Sequence, residues 1–149
     1  MTTVPNVLLA VNGTLMRGLD LNSNIVAAGA TFVRETTTSP IYRLWSIRDL
    51  HPAMIRSENG GAAIAVEIWS VPAEGLASIL LSEPSGLSIG KVLLMDGCEV
   101  LGVLGEPILC EHQEEITSFG GWRLYQENLK QRQTLSKAKA EEGASSSNP

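Results

Sequence analysis

The chain opens on a continuous apolar run, Val7-Leu8-Leu9-Ala10-Val11, bounded by Pro5-Asn6 and Asn12-Gly13. That is the pattern of a strand buried on both faces and central in its sheet. The run breaks at Asn12-Gly13-Thr14-Leu15-Met16-Arg17-Gly18, where two glycines and small polar residues predict a loop. Ala30–Thr37 and Tyr42–Ile47 carry β-branched and aromatic residues on either side of Thr38-Ser39-Pro40 and predict two further strands. His51-Pro52 and Ser57-Glu58-Asn59-Gly60-Gly61 punctuate the middle. Ala63–Val71 then gives the strongest strand pattern in the chain, with Ile64, Val66 and Ile68 on one face.

Pro72 suits a helix N-terminus, where its missing N–H costs nothing, and Leu76, Ile79 and Leu80 follow at helical spacing until Pro84. Ser88–Leu94 and Cys98–Leu104 flank Asp96-Gly97, a favoured two-residue hairpin turn because it tolerates positive φ. Gly120-Gly121 precedes a helical stretch from about Trp122 to Gln133, with Leu124, Tyr125 and Leu129 as its apolar stripe. Beyond Leu135 the composition falls to Lys, Ala, Glu, Gly and Ser, which predicts a mobile tail over 135–149. The order of elements favours a single α+β domain with a closed or strongly curved mixed sheet.

Length and charge narrow the function. The 149 residues fit one domain. With 11 Lys+Arg against 16 Asp+Glu the net charge is −5, so a basic surface for phosphates, and with it nucleic acid as a partner, is not expected. No stretch is apolar for the length a membrane span needs, and Met1–Asn6 lacks the basic start of a signal peptide, which predicts a cytosolic protein. Cys98 and Cys110 accordingly read as reduced core residues.

His51 and His112 stand far apart without a ligand at i+3 or i+4, so no metal is expected, and no motif calls for a cofactor. Nothing resembles a G-x-S-x-G nucleophile elbow. The Asn12–Gly18 loop offers consecutive backbone N–H groups that can cradle a carboxylate, with Arg17 as a charged donor; its glycines serve simple chain reversal equally well. Glu83 ends the mid-chain helix. Carried to the mouth of the sheet and partly desolvated it suits general acid/base work, whereas left in solvent it is an ordinary helix terminus. Glu67, on the strand face opposite Ile64, Val66 and Ile68, is the next carboxylate candidate.

Taken together, Gly29-Ala30-Thr31-Phe32-Val33-Arg34, Tyr42-Arg43-Leu44-Trp45, Gly60 through Trp69, Leu87-Ser88-Ile89-Gly90 and Ser118-Phe119-Gly120-Gly121-Trp122-Arg123-Leu124-Tyr125 resemble the C-terminal domain of allophanate hydrolase, over residues 7 to 126. The resemblance implies a γ-glutamylcyclotransferase-like fold, a small mixed β-barrel with flanking helices, over residues 1–134, ahead of the tail. In that family an amidase domain with Ser-cisSer-Lys chemistry comes first. Since this chain starts almost at the first strand, a stand-alone accessory domain without amidase activity is expected, one that binds a small carbamate-type or γ-glutamyl-type carboxylate in urea and amide nitrogen metabolism.

The family's loop commonly reads Gly-Ala-His-Leu-x-Gly, with its histidine implicated in decarboxylation; here Leu15 falls at that histidine. The stretch instead resembles the Tyr-Gly-Ser/Thr-Leu-x-x-Gly loop of γ-glutamylcyclotransferases, with Asn12 for the tyrosine. That likeness implies carboxylate binding by Asn12, Gly13, Thr14 and Leu15, with Arg17, Tyr42 and Trp122 shaping the pocket. Glu83 falls near that family's general acid/base glutamate, though without its Glu-Gly neighbours. Three readings follow: a carboxylate-binding domain, a cyclotransferase using Glu83, and a non-catalytic partner of a separately encoded amidase. A homo-oligomer is compatible with each.

Overall fold

The computed structural model describes residues 5–145, with side chains through residue 141. Strand β1 (Val7–Val11) is the middle of a five-stranded mixed sheet. It pairs antiparallel with β5 (Ala65–Val71) and parallel with β7 (Glu99–Gly105). β2 (Thr31–Thr37) and β6 (Leu87–Leu93) form the two edges. Leu9, Ala10 and Val11 are buried, as a central strand demands, while Leu8 near its start reaches solvent. The hairpin between β6 and β7 turns through three residues, Met95-Asp96-Gly97, rather than Asp-Gly alone: Leu94 N–H still reaches Cys98 O (2.8 Å), and Gly97 takes the positive φ of 89°.

A second sheet of three strands has the order β4-β3-β8. β3 is Tyr42–Ile47, as the β-branched and aromatic pattern predicts. β4 (His51–Arg56) occupies the stretch that its His-Pro pair marked as punctuation. Pro52 is tolerated there because β4 is an edge strand, whose open side needs no N–H donor. β8 is only Glu114–Glu115.

The expected closed barrel does not form. The edges β2 and β6 meet at one corner only, where Met95 N–H donates to Thr37 O (3.1 Å), Ser39 N–H to Leu93 O (2.9 Å), and Thr38 forms an isolated bridge with Leu94. The architecture is a mixed α+β fold with a curled sheet pinched at that corner.

Four α-helices among the described residues complete it. α1 (Asn22–Ala27) is short, and Ile25 is its buried residue. α2 (Ala73–Ser82) follows Pro72 as the pattern predicts. α3 is a single turn, Pro107–Cys110. A 3-10 turn at Thr117–Phe119 ends on Gly120 with φ 77°, which launches α4 (Trp122–Ser145). α4 runs past Gln133, so the described part of the expected tail is helical. Its side chains from Gln131 through Glu141 are exposed; 146–149 lie outside the described residues. Trp122 and Tyr125, in its first turns, pack into the core with Leu9, Leu44, Ile64 and Ile68.

Candidate functional site

The loop after β1 is more tightly built than the sequence suggests. Asn12 is buried and turned inward, its Nδ2 donating to Val103 O at 3.0 Å, so it ties β1 to β7 rather than offering its amide to a ligand. Met16 N–H closes a turn onto Gly13 O (3.0 Å), and Leu21 N–H reaches Thr14 O (3.0 Å). Leu15 is buried in the core. The N–H groups of Gly13, Thr14 and Leu15 remain without a partner among the described residues.

Beside them lies a hollow of about 20 Å³ walled by Asn12, Gly13, Thr14, His51, Pro52 and Glu83. The loop and Glu83, some seventy positions apart in sequence, thus share one wall. The space suits a single water. What fills the rest is Pro52: a Cβ on Gly13 would sit 2.6 Å from the proline ring. Glu83, just past the end of α2, is half-buried, its carboxylate has no hydrogen-bond or ion-pair partner among the described residues, and burial pushes its pKa up.

On the other side of the loop a carboxylate is fully engaged. Glu67, in the middle of β5, is 2 % exposed. Its Oε1 accepts from Arg17 N–H (2.9 Å) and Trp69 Nε1 (3.2 Å), and its Oε2 from Arg17 Nε (3.3 Å) and Arg123 Nη2 (3.2 Å). Arg17 also pairs with Glu35 at 2.7 Å and lies over the Phe32 ring, its Cζ 3.5 Å from the centroid. Arg123 Nη2 further donates to Arg17 O (3.0 Å), which fastens the loop to the start of α4. Arg123 Nε and Nη1 have no partner among the described residues.

Next to this cluster a cavity of about 380 Å³ is lined by Met16, Glu35, Glu67, Trp122 and Arg123, together with Gly121 and Leu124 of the same turn. The first-turn N–H groups of a helix lack intrahelical acceptors and favour negative charge. Trp122 lines this cavity, and Arg17 borders it through its bonds to Glu67. Tyr42 does not. Its ring is buried, and its hydroxyl accepts from Leu93 N–H (2.9 Å) and Arg56 Nη2 (3.1 Å), which makes it a link between the two sheets.

Arg123, which closes the distinctive Phe-Gly-Gly-Trp-Arg segment, is not among the residues that the sequence pattern singles out. The signal was Glu67 itself: a lone carboxylate in an apolar strand requires buried partners, and arginines are the usual ones. The two thiols differ as well. Cys98 is exposed on the hairpin rather than in the core, whereas Cys110 is buried, with its pKa pushed up to about 11 by desolvation, so it is a neutral thiol and no nucleophile at pH 7. Among the described residues no three His, Cys, Asp or Glu side chains gather to hold a metal, and no helix is long and apolar enough to cross a membrane.

Comparison with known proteins gives a consistent picture. Residues 7–127 match the family model of the allophanate hydrolase C-terminal domain. Urea amidolyase of Saccharomyces cerevisiae is 31% identical over 141 residues, covering 87% of this chain and 7% of the relative. A uropathogenic E. coli-specific protein of known structure is 57% identical with a TM-score of 0.81, covering 85% of this chain and 98% of that one. Kluyveromyces lactis allophanate hydrolase is 29% identical with a TM-score of 0.79, covering 85% of this chain and 22% of the enzyme. An AIG2-like protein from mouse, 16% identical with a TM-score of 0.55, shares the fold alone. The chain thus spans a small part of the curated relative and nearly the whole of the E. coli protein.

Proposed function

The chain belongs to the family of allophanate hydrolase C-terminal domains, within the γ-glutamylcyclotransferase-like superfamily, and from that premise we propose that it is an accessory domain that binds a small carboxylate and has no amidase activity of its own. The observation that carries this reading is the cavity of about 380 Å³ at the start of α4, where Arg123 keeps guanidinium donors free. Its volume lies in the usual range for small-molecule sites. The hollow beside Gly13, at about 20 Å³, is too small for a carboxylate and its substituent while Pro52 stays in place.

The carboxylate of a carbamate-type compound is held by Arg123 and the N–H groups of Trp122 and Leu124, against Met16 and the Trp122 ring. Glu67 does not repel it, because Arg17, Arg123 and Trp69 satisfy its oxygens. The same chemistry suits work beside an amidase, since the relatives named allophanate hydrolase and urea amidolyase carry the homologous domain within larger chains. A separate amidase is thereby the partner of choice.

Acetate titrated into the ¹⁵N-labelled protein is expected to move the Gly121, Trp122 and Arg123 amide signals saturably. Arg123→Met is expected to weaken that binding at least tenfold, the loss of a charge-assisted contact worth about 1.5–3 kcal/mol. Unmoved signals would overturn the assignment. The purified chain should release no ammonia from allophanate, and ammonia release would refute the absence of amidase activity.

A further inference from the structure

The three large apolar side chains most exposed among the described residues are Leu81 at 87%, Ile108 at 70% and Leu50 at 68%. Gly75, Leu76 and Ile79 turn α2 toward the core, so Leu81, two positions past Ile79, projects away from it. Leu80 beside it is 42% exposed, and the exposed Ala73 and Ala77 extend the same outer side, where Glu74 is the one charge on the helix. A surface helix ordinarily turns charged and polar residues to water, and α2 turns a protruding leucine instead.

The other two side chains belong to a groove close by. Past Glu83 the chain turns at Gly86 against α3: Glu106 N–H donates to Gly86 O (2.8 Å), and a Cβ on Gly86 would meet Leu109 at 3.0 Å. Ile108 and Leu109 line, with Ile47 and Leu50, a groove of about 450 Å³, which is large enough to admit a leucine side chain. His51 borders both this groove and the hollow that Glu83 walls, so that hollow lies between the end of α2 and the groove.

We propose that this face is the contact surface of a homodimer, in which Leu81 of each copy enters the groove of the other around a twofold axis near the Glu83 hollow. A knob and a groove on one face of one chain are self-complementary, and a twofold axis satisfies both at once. Leu50, Leu80, Leu81 and Ile108 expose on the order of 500 Å² between them, in the upper range for a patch on a monomer. Covering them on two copies buries about 1,000 Å², the area at which biological interfaces begin. The Arg123 cavity lies on other elements, β2, β5 and the start of α4, and stays open in such a dimer.

Sedimentation velocity on the full chain, across a concentration series, should show a species of twice the 15.9 kDa chain mass. Leu81→Lys and Ile108→Glu should each weaken that dimer at least tenfold, since each spoils both contacts, and should leave the circular dichroism spectrum unchanged, since both side chains stand outside the core. Mixed together the two variants should associate again as a heterodimer, because one contact becomes an ion pair and the other keeps its leucine in an unaltered groove. Acetate should move the Gly121 and Arg123 amides equally in the parent and both variants, so the dimer and the carboxylate site can fail independently. The proposal is overturned if the chain is monomeric at every concentration, if both variants dimerise like the parent, or if the mixture stays apart. It is equally overturned if the chain stays monomeric and captures an amidase in a manner that Leu81→Lys abolishes, which would give the face to that partner.

Discussion

Two glutamates on this chain meet burial in opposite ways. Glu67 is deeply buried but receives four donors, and the arginines that pair with it keep 45% and 42% of their side chains exposed, so the desolvation cost falls mainly on the carboxylate. Glu83 has no such compensation. It lies beyond the C-terminal end of α2, where the helix dipole also disfavours negative charge, and burial raises its pKa. Between the unfolded and the raised value the folded chain therefore holds a proton there that the unfolded chain has released. Stability from this group is complete below the unfolded carboxylate range and declines as pH rises through the raised value. Glu83→Gln should accordingly melt above the parent at pH 7, with the difference vanishing below about pH 4, where both side chains are neutral. A melting temperature that falls on substitution, measured by circular dichroism from pH 3 to 8, would mean that Glu83 makes a favourable contact as a carboxylate.

Packing between elements decides signs that helix propensity alone gets wrong. In an exposed helix Gly→Ala gains about 1 kcal/mol. Gly75, however, sits where α2 crosses the end of α1, and a Cβ there would come within 2.2 Å of Ala28 O. Because the clashing atom is backbone, Gly75→Ala should destabilise by about 1–3 kcal/mol in urea unfolding; a neutral or stabilising result would show that α1 yields. The contrast bears on what the sequence could reveal. β1, β3, β5, α2 and the β6–β7 hairpin were legible because runs of apolar or β-branched residues dominate them. β4 was hidden by Pro52, whose breaker character is irrelevant on an edge, and α1 and β8 were too short for any period to show. At the loop, the sequence leaves Glu83 either at the mouth of the sheet or in solvent, and it does not show that Pro52 fills the space beside Gly13. That closure depends on a strand from elsewhere in the chain, which local pattern does not report.

At the scale of the whole molecule, the question is what holds the two sheets together without a closed barrel. An open edge such as β6 exposes backbone donors and invites further pairing. Here residues 37–39 cover its far end, and Tyr42 reaches from β3 to take Leu93 N–H, while Arg56 of β4 bonds both the Tyr42 hydroxyl and Lys91 O (3.4 Å). One phenol thus joins the edge of the large sheet to two strands of the small one. Tyr42→Phe keeps the buried ring and deletes only that junction, so the fold should persist with a loss of about 1–3 kcal/mol, the cost of an unmet buried donor. Hydrogen exchange at Leu93 should accelerate more than at Leu9 in β1, because the sheet's centre does not depend on the link. Equal acceleration at both would mean that the sheets separate only with global unfolding. Unchanged exchange at Leu93 would mean that the corner bridge at Thr38 and Leu94 holds the edge by itself.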